Sequence, residues 1–186
     1  LLSQKLKWRR RFLGSRKIPL REAFRSWINY HPIVISNLWN ASVKSAIKYK
    51  DDSRVLILKF EDLLANPAER IKEVCEFVGI DYQDDMLLIP QAGSSLGKDI
   101  ATNKGVDSTK IGKWKHGGLN TTEIYLCETI TENIMSQFGY VVTKSSYKLF
   151  VLIGYYLVLP MQLTLALILN LNRMRNIAQS IARRLI

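Results

Sequence analysis

The sequence predicts a helix-rich α/β domain, with a parallel core strand at about 54–60 and apolar helices toward its C-terminal end. Three observations lead there. The run Arg54-Val55-Leu56-Ile57-Leu58-Lys59-Phe60 is short, β-branched and almost wholly apolar, as a strand covered on both faces requires. Much of the remaining chain repeats apolar residues at helical spacing, with prolines near the starts and glycines near the stops. Finally, 47% of the 186 residues are hydrophobic and 10% aromatic, which is enough for a core and unlike a disordered chain.

Taken in order, residues 3–13 have a helix-forming composition, and Pro19 suits the first position of a second helix starting near Leu20. Pro32 should end or kink that helix, because proline lacks an N–H and clashes with the preceding turn. Ile33, Leu38, Trp39, Val43 and Ile47 then continue a helical stripe to about residue 50. After the turn-like Asp51-Asp52-Ser53 comes the expected strand. Asn66, Pro67 and Glu69 supply a cap, a first-turn proline and an early acid, so a helix should begin there and run to Gly79 through Ile71, Val74, Cys75 and Val78. Residues 89–118 are rich in Gly, Ser, Thr, Asn and Lys and read as a long polar loop. Asn120 or Thr121 should cap a helix carrying Ile124, Leu126, Cys127, Ile130, Ile134, Met135 and Phe138, with Gly139 as its terminator.

The segment 149–171 holds 23 residues without a charge, between Lys144 and Lys148 on one side and Arg173 and Arg175 on the other. Its length would let a helix cross a bilayer. Pro160, Gln162, Thr164 and Asn170 interrupt it, so a pair of helices in or on a membrane, or packed on the protein's own surface, is the alternative.

Charge is uneven. The 27 Lys and Arg against 16 Asp and Glu give +11, of which residues 1–25 hold +8 and residues 173–186 hold +4, leaving 26–172 at −1. Cationic ends can meet nucleic acid or an anionic membrane, both dense arrays of phosphate. No nucleic-acid motif accompanies them, so nucleic acid is set aside as the weaker partner. Two cysteines, Cys75 and Cys127, make no multi-bridge framework and have no zinc-site spacing, and on the apolar sides of their helices they read as core residues. The chain opens on Leu1 without a secretory-signal pattern and reads as a piece that has lost its beginning.

The order of these signals is recognisable. An apolar strand ending in Lys59-Phe60-Glu61-Asp62-Leu63 is followed by Asn66-Pro67 and a helix ending Glu76-Phe77-Val78-Gly79-Ile80. Then come a loop ending Ile111-Gly112-Lys113-Trp114-Lys115 and a helix ending Phe138-Gly139-Tyr140. Over residues 1–142 this resembles the C-terminal half of sulfotransferases that use 3'-phosphoadenosine-5'-phosphosulfate, leaving 143–186 as an apolar helical tail with a basic end. The resemblance implies an incomplete P-loop-like three-layer fold, in this stretch helix-rich. It also implies transfer of a sulfuryl group from that nucleotide to a hydroxyl or amine acceptor such as a glycan or lipid, and calls for no metal. No GxxxxGKS/T loop or shorter counterpart precedes a strand, so the group that grips the 5'-phosphosulfate is expected to be missing and the chain inactive on its own.

The resemblance places the 3'-phosphate end of the nucleotide on a basic, glycine-containing loop: Lys104, Gly105, Ser108, Lys110, Gly112 and Lys113. Glycines let a backbone approach closely, and lysines and a hydroxyl donate to phosphate oxygens. Lys104-Gly105 lies farther upstream of Trp114 than the family's arrangement would have it, so which lysine makes the contact stays open. Ser3 is carried over as the serine that follows the family's Arg-Asp-Pro segment. No catalytic base is assigned, since the family places it upstream. The plainer account of the loop is a solvated connection without a ligand. Glu61 and Asp62 are adjacent and poorly arranged for acid–base work, so one should cap the next turn and the other pair with a Lys or Arg. Trp114 reads as a packing anchor, and His31 and His116 read as surface or structural residues, although Tyr30-His31-Pro32 could line an acceptor pocket. Membrane contact through 149–171 is the further partner expected, with a cytoplasmic or membrane-associated location. The alternatives are a non-enzymatic membrane-associated module and, behind it, a basic nucleic-acid-binding fragment; liposome flotation and salt-dependent filter binding would separate them.

Overall fold

A computed structural model describes residues 1–13, 19–90, 104–174 and 176–185. Eight α-helices are present among them: α1 Leu2–Leu13, α2 Leu20–Ile28, α3 Pro32–Ile47, α4 Phe60–Ala65, α5 Pro67–Val78, α6 Thr121–Gln137, α7 Leu149–Asn170 and α8 Ile177–Leu185. The chain divides into two compact units. Unit 1 comprises residues 1–45 and 118–186, and unit 2 comprises residues 46–117.

In unit 1 the proline and glycine punctuation works as the sequence predicts. Pro19 precedes α2, and Pro32 is the first residue of α3, so the break between them falls on 29–31. Asn120 caps α6 through a reciprocal pair: its Oδ1 accepts from the Glu123 N–H at 2.8 Å, while Glu123 Oε2 accepts from the Asn120 N–H at 2.8 Å. The helix ends at Gln137, and just beyond it Gly139, with a φ of 71°, allows the Tyr140 N–H to reach back to the Met135 carbonyl at 3.0 Å. The core gathers Ala23, Ile28, Tyr30, Ile33, Val34, Leu126, Ile134 and Ala166. Polar side chains enter the interior as well: Asn40 donates to the Ile130 carbonyl at 2.7 Å, and one carboxylate oxygen of Glu128 accepts from both the N–H and the hydroxyl of Thr143 at 2.9 and 2.7 Å. The segment 149–170 is one continuous helix with Pro160 inside it, not a pair. It alone among the described helices is long and apolar enough to cross a membrane.

In unit 2, α5 follows the prediction closely. Pro67 opens it, and Gly79 closes it with φ 74°, ψ 38°, the Ile80 N–H bonding the Cys75 carbonyl at 3.0 Å. Asn66, expected as a side-chain cap, makes no such bond; its carbonyl instead accepts from the Arg70 N–H at 3.1 Å.

The expected strand at 54–60 does not form among the described residues. Residues 55–59 follow no regular structure, and Phe60 already begins α4. A strand exists through its pairing, and the one bridge among the described residues joins Pro90 and Lys104. Nor is the run covered on both faces: Ile57 and Phe60 are exposed and Val55, Leu56 and Leu58 are half-buried. The described fold is therefore helical, without the parallel core strand that the sequence predicts.

Candidate functional site

Unit 2 carries the basic loop. Lys104 enters it through the bridge to Pro90, and the Gly105 N–H donates to the Ile89 carbonyl at 2.9 Å. Asp107 then organises a single 3-10 turn over Ser108–Lys110. Its Oδ1 accepts from the Thr109 N–H at 3.1 Å and the Thr109 hydroxyl at 2.5 Å, and its Oδ2 lies 3.7 Å from Lys110 Nζ. The Thr109 hydrogen bonds, helped by Lys110 and Lys113, hold the Asp107 carboxyl below the usual carboxylate range. Ile111 leads into Gly112, whose φ of 66° turns the chain into a second 3-10 turn over Lys113–His116. The Lys115 N–H bonds back to the Gly112 carbonyl at 2.9 Å, and the Lys115 ammonium sits 5.8 Å from the centre of the Trp114 ring.

The structure thus brings Ser108, Lys110, Gly112 and Lys113 onto two successive turns, with Lys104 and Gly105 at the entrance. Lys104, Ser108 and Lys113 are exposed, whereas Lys110 is half-buried beside Asp107. Ser3, exposed in the first turn of α1, belongs to unit 1. The stretch 91–103 of the expected polar loop lies outside the described residues. Glu61 and Asp62 stand in the first turn of α4 and not at a strand end, and Asp62 pairs with Lys59 at 3.4 Å.

Unit 1 contains a second polar constellation that the sequence did not single out. Glu123, 1% exposed, accepts from Lys5 Nζ at 2.5 Å, from the Tyr30 hydroxyl at 2.8 Å and from the Asn120 N–H at 2.8 Å. Burial opposes its charge, but Lys5, Asn120 and Tyr30 together outweigh that and hold the carboxyl below its ordinary value. The same burial, with Glu123 alongside, pushes the Tyr30 phenol up. Tyr155, from α7, accepts from Asn120 Nδ2 at 3.2 Å, and burial raises its phenol to about 12. Its carbonyl accepts from His31 Nε2 at 3.0 Å, which fixes the proton on that nitrogen. His31 is buried and not at the surface, and burial lowers its affinity for a second proton. The signal that could have pointed to Glu123 was local: Asn120 and Glu123 stand at capping-box spacing. Its partners Lys5 and Tyr30 come from distant sequence.

Two cavities of about 580 and 410 Å³ lie in unit 1 and share Gln4, Asn29 and Arg184. The larger is polar, lined among others by Lys7, Arg25, Tyr30 and Arg183; the smaller is largely apolar, with Val34, Leu38 and Leu163 beside His31. No group of His, Cys, Asp and Glu among the described residues is arranged to hold a metal ion.

A family model described as Sulfotransferase domain matches residues 7–117, well over half of the chain. The chain belongs to the sulfotransferase domain family. The match includes α2 to α5 and all of the basic loop, and it ends before α6 and α7. No curated protein and no solved structure matches the chain. Membership carries sulfuryl transfer in general, with a donor and an acceptor to be bound.

Proposed function

We propose that this chain takes part in moving a sulfuryl group from 3'-phosphoadenosine-5'-phosphosulfate to a hydroxyl or amine, such as one on a glycan or lipid, and that on its own, without a loop to grip the 5'-phosphosulfate, it is inactive. Residues 1–142 supply the sulfotransferase part, of P-loop-like descent, and residues 143–186 an apolar helical tail with a basic end. In the reaction the acceptor atom forms a bond to sulfur as the bond from sulfur to the bridging phosphate oxygen breaks. Adenosine 3',5'-bisphosphate leaves, and the acceptor gives up its proton. Such a transfer asks the protein for alignment and for cations and N–H donors against developing negative charge.

The observation that carries the proposal is the pair of turns at Ser108–Lys110 and Lys113–His116, which hold a hydroxyl, several ammonium groups and a left-handed glycine within nine residues. Lys113 is exposed, and Asp107 already engages Lys110, so Lys113 is the better-placed donor to the 3'-phosphate. Lys104, Gly105, Ser108, Lys110 and Gly112 complete the loop's contribution. The test is calorimetric titration of adenosine 3',5'-bisphosphate against adenosine 5'-monophosphate. The 3'-phosphate should strengthen binding, and Lys113→Ala should remove about 1–2 kcal/mol of that preference, the scale of a charge-assisted hydrogen bond. An unchanged preference would move the contact to Lys110 or Lys104, and no preference in the parent chain would sink the donor assignment.

A further inference from the structure

Helix α7 has two unlike faces. On one, polar groups of unit 1 hold it along its whole length. At its start the Lys148 N–H donates to the Thr122 hydroxyl at 3.0 Å; two turns on, Tyr155 receives Asn120 through its hydroxyl at 3.2 Å and His31 through its carbonyl at 3.0 Å. Gln162 and Ala166 are buried. At the far end the Leu169 carbonyl accepts from Arg25 at 2.7 Å, and Asn170 donates to Asn29 Oδ1 at 3.2 Å. Residues 148, 155, 162, 166 and 169 recur at spacings that place them on one side of a helix. The other side is a stripe of Phe150, Ile153, Leu157, Met161 and Ile168, exposed by 88, 44, 72, 51 and 58%. These positions also follow the helical period, and their phase is opposite to that of the held side.

Length alone would suit a crossing helix, since 22 residues at 1.5 Å each give roughly 33 Å against a hydrocarbon core of about 30 Å. The held face argues otherwise. A crossing α7 that kept its contacts would carry Arg25, Asn29, His31, Asn120 and Thr122 into hydrocarbon with it. There each unsatisfied polar group costs several kcal/mol. A crossing α7 that released them would strip the polar side of unit 1 of its partners. Lying flat satisfies both faces, with the polar side on the protein and the apolar stripe in one leaflet.

The surroundings favour an anionic bilayer as the occupant. Lys144 and Lys148 are exposed at one end of α7, and the sequence places Arg173 and Arg175 just beyond the other. Helix α2, packed against α7, adds exposed Arg21 together with exposed Leu20 and Phe24. Cations flanking an apolar stripe match a leaflet of anionic headgroups over acyl chains.

We propose that unit 1 docks face-on to an anionic membrane as a monotopic contact, with α7 lying in the plane of one leaflet. The proposal stands apart from the sulfuryl-donor assignment, which concerns unit 2 and is read by nucleotide binding. To test it, the full chain is synthesised in the presence of sealed phosphatidylcholine vesicles, with and without phosphatidylserine, floated on a density gradient and then treated with trypsin. The chain should float with the anionic vesicles, and trypsin added outside should remove the arginine-rich segment after residue 172. The double variant Phe150→Glu, Leu157→Glu should float at least about tenfold less. Its far-UV circular dichroism should be unchanged, because both side chains point outward. A trypsin-protected C-terminal segment would mean that α7 crosses, and absence of flotation would mean that it does not meet lipid. A lipid-free dimer dispersed by Leu157→Glu would mean that the stripe pairs with a second copy. Each of these three results overturns the proposal.

Discussion

Replacing Glu123 with alanine should cost unit 1 a large part of its stability. The carboxylate receives three donors, Lys5 at 2.5 Å and Tyr30 and the Asn120 N–H at 2.8 Å, while its side chain keeps 2% of its exposure. Removing it leaves an ammonium, a phenol and a helix-capping N–H without their acceptor. Breaking one side of a buried ion pair costs about 3–5 kcal/mol. Lys5, at 15% side-chain exposure, can turn partly to water, which places the expected loss near the lower end, about 3 kcal/mol. Urea unfolding followed by far-UV circular dichroism reads this as a midpoint lowered by about 1–1.5 M for an m-value of about 2–3 kcal/mol/M. The pH dependence supplies a second readout. Because the carboxyl is held below its ordinary value in the folded state, its contribution is fully present above about pH 4.3 and fades as the pH falls through the lower folded value. The stability gap between the parent chain and Glu123→Gln should narrow over that descent. A loss under about 1 kcal/mol for Glu123→Ala at unchanged m-value, or a gap independent of pH, would refute the reasoning.

His31 gives the companion case at higher pH. Burial lowers its proton affinity in the folded state, so the unfolded chain takes up a proton first and stability should decline as the pH drops below about 6.5, levelling once the folded group also titrates. His31→Asn should flatten that slope in urea midpoints, and identical slopes would exclude His31 as the source. Gly79→Ala should lower stability by about 1 kcal/mol, since its φ of 74° is strained for any residue with a Cβ; a neutral or stabilising effect would contradict the left-handed cap.

Local chemistry was legible in the sequence, and pairing between distant segments was not. Pro32, Pro67, Gly79 and Gly139 act through their own backbones, so the start of α3, both ends of α5 and the end of α6 could be read to within a residue or two, whereas α3 stops at Ile47, short of the expected 50. The strand at 54–60 failed because an apolar, β-branched run states only a preference, and a strand requires a neighbour with which to exchange hydrogen bonds. The basic loop was found through its order relative to Asn66-Pro67 and Trp114, yet the sequence did not show that Asp107 would occupy Lys110 and leave Lys113 outward. Glu123 was missed for the same reason: its cap is local, but Lys5 and Tyr30 lie 118 and 93 residues away.

The discontinuity of unit 1 also sets an order of events during synthesis. Helices α1 to α3 leave the ribosome before any of α6 or α7 exists, so Lys5 must wait for the next 118 residues before its acceptor appears. At about 5–20 residues per second that interval is roughly 6–24 seconds. Meanwhile Ile28, Ile33 and Val34, buried in the finished protein, have none of their late partners. Unit 2 draws on neighbours close in sequence, α4 with α5 and α5 with residues 84–87, and closing such short loops is fast. Residues 46–117 should therefore fold first, leaving residues 1–45 as the stretch that waits longest for its partners.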